Sequence, residues 1–236
     1  MRTVCIVQAR MGNCRLPGKN GMLILGKPQI WHVLSRIKKM RCFHDILLAI
    51  PHESNGGIQL GAARDLGIET LDYRGDPEDV VHRFSIGADI MDADVVVRIP
   101  GDNTFTDRDE VERIVSYHSY DPGVWNFLTT NLDRDVLGNG YPAGFGAEVY
   151  DVRFLQWLDR SLTRKDLREH PHKWAFENAR VRTLQCPEDI RAPGLSLSVD
   201  TAEDFALTKE IYETLHPNFN ARDVIKYLGE RNVQLN

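Results

Sequence analysis

The segment VCIVQARMGNCRLPGK, residues 4–19, carries side chains suited to phosphate chemistry. An apolar run, Val4-Cys5-Ile6-Val7, stops at Gln8 and gives way to a loop with Gly12 and Gly18. Arg10, Arg15 and Lys19 lie on that loop. Fixed positive charge on a glycine-containing loop at the C-terminal edge of a buried strand suits a polyphosphate. Backbone N–H groups donate to its oxygens, and the cations offset its charge. The spacing is not that of a Walker A loop, because five residues separate Gly12 from Gly18 and Asn20, not a hydroxyl residue, follows Lys19. The dinucleotide fingerprint G-x-G-x-x-G is absent, and Pro17 argues against a helix opening directly after the strand. The chemistry these residues predict is nucleoside triphosphate binding.

Two carboxylates extend that chemistry. Asp102 follows the apolar run 95–99 and Gly101, which places it at the end of a central strand. In open α/β sheets that position is the ligand crevice. Asp200 follows the run 195–199 in the same way. Meeting across the crevice, the two could hold one Mg²⁺, which prefers one or two carboxylates plus phosphate oxygens and water. On spacing alone Asp200 reads rather as the N-cap of a helix opening at Thr201, with Glu203 and Asp204 favouring its first turn. The strings Asp92-Ala93-Asp94, Asp107-Arg108-Asp109 and Asp133-Arg134-Asp135 follow no clear buried strand and read as solvated loop or helix-start charges. His170 and His172, two apart, would point to different faces of a helix, which argues against zinc. Arg168, His170 and Lys173 form either a basic cluster of the kind an acidic acceptor needs or a solvated helix face. Tyr141 and Phe145 flank glycines and either line a sugar pocket or pack a hairpin down. Phe154 and Trp157, at i and i+3, read as core.

The elements that must position these groups alternate from the start. The runs 4–7, 46–50 and 95–99 lack period-2 alternation and read as buried parallel strands. Helical patterns fill 28–40, 58–66 and 77–90, with Pro28 and Pro77 suiting first turns. Asp107 could cap a helix over 108–117, with Glu110 completing a capping-box-like pair. This βαβαβ order predicts a doubly wound α/β sheet. From 126 to 145, turn residues punctuate short extended pieces, as in a β-hairpin or an insertion. Helices over 151–162 and 165–178, strands near 180–184 and 195–199, and helices over 201–214 and 221–231 close the chain. At 236 residues with 42% hydrophobic and 27% charged side chains, one domain with a full core is expected. A net charge of -5 argues against a general nucleic-acid binder. Cys5, Cys14, Cys42 and Cys186 lack metal-ligand spacing. No apolar stretch reaches membrane-spanning length and no signal peptide is evident. The expectation is a cytoplasmic protein with reduced thiols.

Five segments in order resemble a known family. QARMGNCRLPGK resembles the loop QARMGSTRLPGK of the cytidylyltransferases of spore-coat polysaccharide synthesis, themselves similar to CMP-KDO and CMP-sialic acid synthetases. Residues 97–102 resemble that family's VRIxGD, residues 140–149 its YPxGxxxEV, residues 168–170 its REH, and residues 198–204 its TVDTPED. The resemblance runs from Arg2 to about Tyr212. It implies a three-layer, GT-A-like nucleotidyltransferase fold with a mixed sheet. Residues 1–236 would form one domain, and a subregion over about 126–190 would serve the acceptor site and a homodimer contact. It implies Arg10, Lys19 and Asp102 as catalytic residues, and Asp102 with Asp200 as Mg²⁺ ligands. Gln8, Ala9, Arg10, Met11, Gly12, Arg15, Lys19, Asp79, Arg83 and Arg98 would face the nucleotide. It implies transfer of CMP from CTP to an acidic acceptor with release of pyrophosphate. That acceptor would be a nonulosonic-type sugar acid, or a phosphonate or sugar phosphate. A glycosyltransferase using a nucleotide-sugar donor and a non-catalytic nucleotide-binding module are the alternatives. Asn13-Cys14 departs from the family's Ser-Thr, and Asn103-Thr104 departs from its pair ending in proline. Residues 171–174 are unusual for the family after its REH.

Overall fold

A computed structural model describes residues 1–12, 15–54, 57–119, 127–130 and 138–231. The first apolar run forms β1 (Thr3–Gln8). A ribbon of β2 (Leu23–Ile24) and β3 (Lys27–Pro28) leads into α1 (Gln29–Ile37). The next units are β4 (Asp45–Pro51), α2 (Gly57–Leu66), β5 (Glu69–Tyr73), α3 (Val80–Ile90) and β6 (Val95–Pro100). Then come α4 (Arg108–Ser119), β7 (Phe127–Thr130), β8 (Glu148–Asp151), α5 (Val152–Ser161), α6 (Lys165–Glu169) and α7 (Pro171–Asn178). The described residues end with β9 (Arg180–Arg182), α8 (Ala202–Leu215) and α9 (Ala221–Glu230).

Among the described residues, seven strands form one mixed sheet in the order β5-β4-β1-β6-β8-β7-β9. β5, β4, β1 and β6 run parallel, β8 is antiparallel to both its neighbours, and β9 is parallel to β7. Successive side chains of a strand point to opposite faces, and both faces of β1 are apolar. Cys5 and Val7 pack with Ile30, Val33 and Leu34 of α1 and Val111 and Ile114 of α4. Val4 and Ile6 pack on the other face with Phe84 of α3 and Phe154 and Leu158 of α5. This explains why the strand reads as a continuous apolar run, and it produces the three layers. A third cluster joins Phe105, Tyr141, Phe145 and Leu197 to α8 and α9.

Several expectations are revised. β5, sequence ETLDY, lies at the sheet edge with a mostly polar pattern and gives no apolar run to read. Residues 195–199 do not join the sheet. Their backbone instead pairs with Ala143 through Ala143 N→Leu195 O and Leu197 N→Ala143 O, both 3.0 Å. Gly144, at φ +103, permits this approach, since a Cβ there would lie 3.1 Å from the Leu197 carbonyl carbon. The expected helix 165–178 is two helices, because Pro171 opens the second and turns His170 out of helical geometry. Pro28 is an N-cap rather than a first-turn residue, and Pro77 precedes the cap Asp79 of α3. Asp107 does cap α4, accepting from Asp109 N and Glu110 N at 3.0 and 3.2 Å. Glu110 does not complete that box, because its carboxylate takes Arg113 and the Tyr141 hydroxyl. Part of the expected 126–145 hairpin, with the string 133–135, lies outside the described residues, as do Asn13 and Cys14.

Candidate active site

The strand order places a switch point between β1 and β6. β4 leaves on one side of β1 and β6 lies on the other, so a crevice opens at their C-terminal ends. Gln8 stands opposite Pro100, and Gly101 N donates to Gln8 O at 2.7 Å. The next residue is Asp102. Its carbonyl accepts from Val199 N at 3.2 Å, which draws the 195–199 segment alongside and sets Asp200 beside Asp102. The result is a cleft of about 580 Å³, within the range of small-ligand sites. Gln8, Ala9, Arg10, Arg15, Lys19 and Arg83 line it with Arg98, Asp102 and Asp200.

Asp200 is not the helix cap. Thr201 takes that role, accepting from Asp204 N at 3.2 Å. Asp204 answers by accepting from Thr201 N and Asp200 N at 2.8 and 3.0 Å, a full capping box. The Asp200 carboxylate is thereby left to face the cleft. Lys19 binds both aspartates: its Nζ donates to Asp102 Oδ2 at 2.7 Å, Asp200 Oδ1 at 3.1 Å and Val199 O at 2.5 Å. Two carboxylates converging on one cation are a donor set that fits Mg²⁺. Among the described residues no group of three or more His, Cys, Asp or Glu could hold a metal, so substrate oxygens and water would complete the shell.

The other loop cations also meet carboxylates. Arg15 Nη2 lies 2.9 Å from Asp200 Oδ1, and Arg10 Nη2 lies 3.1 Å from Glu169 Oε1. Asn20, buried, donates to Arg10 O at 2.9 Å and fixes the loop, a role that its position after Lys19 does not reveal. Arg83 is 2% exposed. Its Nη2 reaches Pro77 O at 3.3 Å, while Nε and Nη1 find no hydrogen-bond partner among the described residues. Burial first, with nearby Arg10 and Arg98, brings its pKa down to about 10 against the pull of Tyr73. Arg98 Nε donates to Gln8 Oε1 at 3.1 Å. Its Nη1 lies 2.8 Å from Glu148 Oε2. Burial alone would raise the Glu148 pKa, but Arg98, His172 and Tyr150 together hold it below the usual carboxylate range.

Other predicted residues fall elsewhere. Asp79 does not line the cleft, because it is consumed as the cap of α3 (from His82 N, 3.0 Å) and as partner of Arg168 Nε (2.9 Å). Arg168 likewise leaves the basic cluster. It spans α3 and α5, donating also to Asp159 Oδ1 at 2.5 Å and to the carbonyls of Asp159 and Leu162 at 2.8 and 2.7 Å. Met11 and Gly12 are outside the cleft lining, and Met11 O accepts from Gly18 N at 3.0 Å. His170, His172 and Lys173 do line it. The helix break brings the two imidazole centroids to 5.8 Å, where a continuous helix would have parted them. Burial lowers the pKa of His170. Tyr141 and Phe145 are fully buried and pack the loop down. Phe154 and Trp157 are core residues with Trp174. Glu169, Asn103 and Ser198 are cleft residues that side-chain spacing does not single out.

A mixed α/β sheet with a cation-bearing loop and two aspartates at its switch point defines a nucleotidyltransferase. The chain belongs to the cytidylyltransferase family, whose model matches residues 4–217. It is 31% identical over 242 residues to an uncharacterised protein of Methanocaldococcus jannaschii, covering 100% of this chain and 93% of the relative. It is 26% identical over 231 residues to the spore coat polysaccharide biosynthesis protein SpsF of Bacillus subtilis, covering 95% and 92% of the two. In fold it is similar to a cytidylyltransferase from Leptospira borgpetersenii, with a TM-score of 0.86 at 22% identity over 98% of this chain and 95% of that one.

Proposed function

We propose that this enzyme transfers CMP from CTP to an oxygen of an acidic acceptor, releasing pyrophosphate. The observation that carries the reading is the convergence of Lys19, Asp102 and Asp200 at one strand-end cleft, with Arg10 and Arg15 beside them. Arg10, Arg15 and Lys19 hold the β- and γ-phosphates, and the backbone at Gln8 and Ala9 approaches the nucleotide. Arg83 offers two unpartnered N–H-bearing atoms to the same ligand. Asp102 and Asp200 would hold Mg²⁺, which would offset phosphate charge and polarise the α-phosphate. The acceptor oxygen attacks the α-phosphorus in line, the bond from that phosphorus to the α,β-bridging oxygen breaks, pyrophosphate leaves, and the proton of an attacking hydroxyl passes to water. The residues contribute positioning and charge stabilisation.

The acceptor anion meets His170, His172 and Lys173, which line the same cleft as Arg98. A nonulosonic-type sugar acid suits that cluster, as does a phosphonate or sugar phosphate. A relative matching about half of this chain is a 3-deoxy-manno-octulosonate cytidylyltransferase, which supports a sugar acid. The subregion 126–190 supplies this acceptor side and a contact between two copies. A glycosyltransferase would need less positive charge than three loop cations provide. Pyrophosphate release from CTP and Mg²⁺, screened over 2-keto sugar acids, phosphonates and sugar phosphates, tests the proposal. Release with one acidic acceptor, lost in a folded Asp102→Asn variant, is expected. Full activity of that variant contradicts the metal assignment.

A further inference from the structure

Lys19 is 3% exposed, yet its ammonium reaches the floor of an open cleft. A buried ammonium needs acceptors for its three protons. Here they are Val199 O, Asp102 Oδ2 and Asp200 Oδ1. The acceptors are fixed from outside the pair. Val199 N bonds to Asp102 O, Asp200 N is held by Asp204, and the Lys19 backbone sits in a tight turn after Gly18. Lys19 therefore stands between the two carboxylates at the position from which a cation would draw on both.

We infer that Lys19 is the resident counter-cation of the Asp102–Asp200 pair and competes with a divalent ion for it. The inference rests on reading those aspartates as the metal pair. Two neighbouring carboxylates repel, and one ammonium offsets that repulsion in the nucleotide-free protein. A divalent ion arriving alone must displace a buried ammonium that then keeps one of its three acceptors, the Val199 carbonyl. A triphosphate changes the balance, because its oxygens supply acceptors for the released ammonium. Lys19 thus makes metal binding conditional on nucleotide: the pair stays closed to free metal and opens when phosphate is present. Arg15, also on Asp200, acts in the same sense from the cleft rim.

The test counts bound Mn²⁺ by the electron paramagnetic resonance of the free ion, at one pH, with and without CTP. It compares the full chain, Lys19→Met, and Lys19→Met combined with Asp200→Asn. Methionine keeps an unbranched stem of similar reach and removes the charge. Without nucleotide, Lys19→Met is expected to bind Mn²⁺ about tenfold or more tightly than the wild type. The double variant is expected to lose that gain. Mn²⁺ affinity in Lys19→Met equal to or below wild type, while the wild type holds Mn²⁺ with CTP, overturns the inference and leaves the proposed function standing. No Mn²⁺ on the wild type even with CTP overturns both. Lys19→Gln makes the same comparison if the methionine variant does not fold.

Discussion

At the scale of residues, the cleft depends on how closely the ends of β1 and β6 approach. A Cβ on Gly101 would lie 2.8 Å from Gln8 O, 2.9 Å from Ala9 Cβ and 3.1 Å from Ile30 Cδ1. Neither the carbonyl nor the Cβ can rotate away, so Gly101→Ala must push the strand ends apart. A loss of about 1–3 kcal/mol in urea unfolding is expected, together with weaker CTP binding. An unchanged midpoint would contradict the close-approach argument. The residues proposed for the site that are legible in the sequence are those that follow a strand end. Asp102, Lys19 and Arg15 can be found because an apolar run locates a strand and the crevice lies where the run stops. Asp79 and Arg168 mislead because sequence cannot show that one carboxylate is already shared between a helix cap and a guanidinium. Asp200 is ambiguous for the same reason. Only the structure shows Thr201 and Asp204 completing the box without it.

Among the elements, α6 and α7 carry one wall of the cleft, and Arg168 ties them down. Its guanidinium joins Asp79 of the α3 cap to Asp159 of α5 and to two carbonyls. The adjacent residue, Glu169, holds Arg10, and His170 faces the cleft. Arg168→Met leaves Asp79 with the His82 N–H alone and Asp159 with His82 Nδ1 alone, each short of its guanidinium. Because these carboxylates are partly exposed and keep their His82 bonds, a drop of about 1–3 kcal/mol in unfolding free energy is expected, with weakened nucleotide binding through the freed Arg10. A variant as stable as the wild type would reduce this network to surface pairing. β1, β4 and β6 are legible because both of their faces are buried. β5 is not, being an edge strand with little apolar surface. The break at His170 is written in the sequence as Pro171, whose ring disfavours helix before it.

For the whole molecule, buried histidines set the response to acid. His118 is 4% exposed. Burial, with Arg182 adding to it and Asp151 opposing, brings its pKa down to about 4 from an ordinary 6.5. His32 shifts the same way, again mainly by burial. A depressed folded pKa makes stability full above pH 6.5. Below that value the unfolded chain binds the proton while the folded chain resists it, so stability falls as pH drops from 6.5 towards 4. The full effect for His118 is about 3 kcal/mol. Thermal midpoints across that window should decline, and His118→Gln should flatten the decline; equal slopes would contradict the assignment. Among the described residues no helix is long and apolar enough to cross a membrane. The three layers are legible from strand and helix alternation, but the mixed right half of the sheet is implied only by the family resemblance. Pairings between β6, β8 and β7 span long stretches of chain and leave no local trace.

The most direct test of the central claim is thermal unfolding of the full chain with CTP, UTP, ATP or GTP, each with and without Mg²⁺. A ligand at about 100 times its dissociation constant adds roughly 2.7 kcal/mol of apparent stability. A rise with CTP and Mg²⁺ that the other three triphosphates do not reproduce is the predicted result. No rise with any triphosphate, or an equal rise with all four, would contradict a CTP-specific cleft at the ends of β1 and β6.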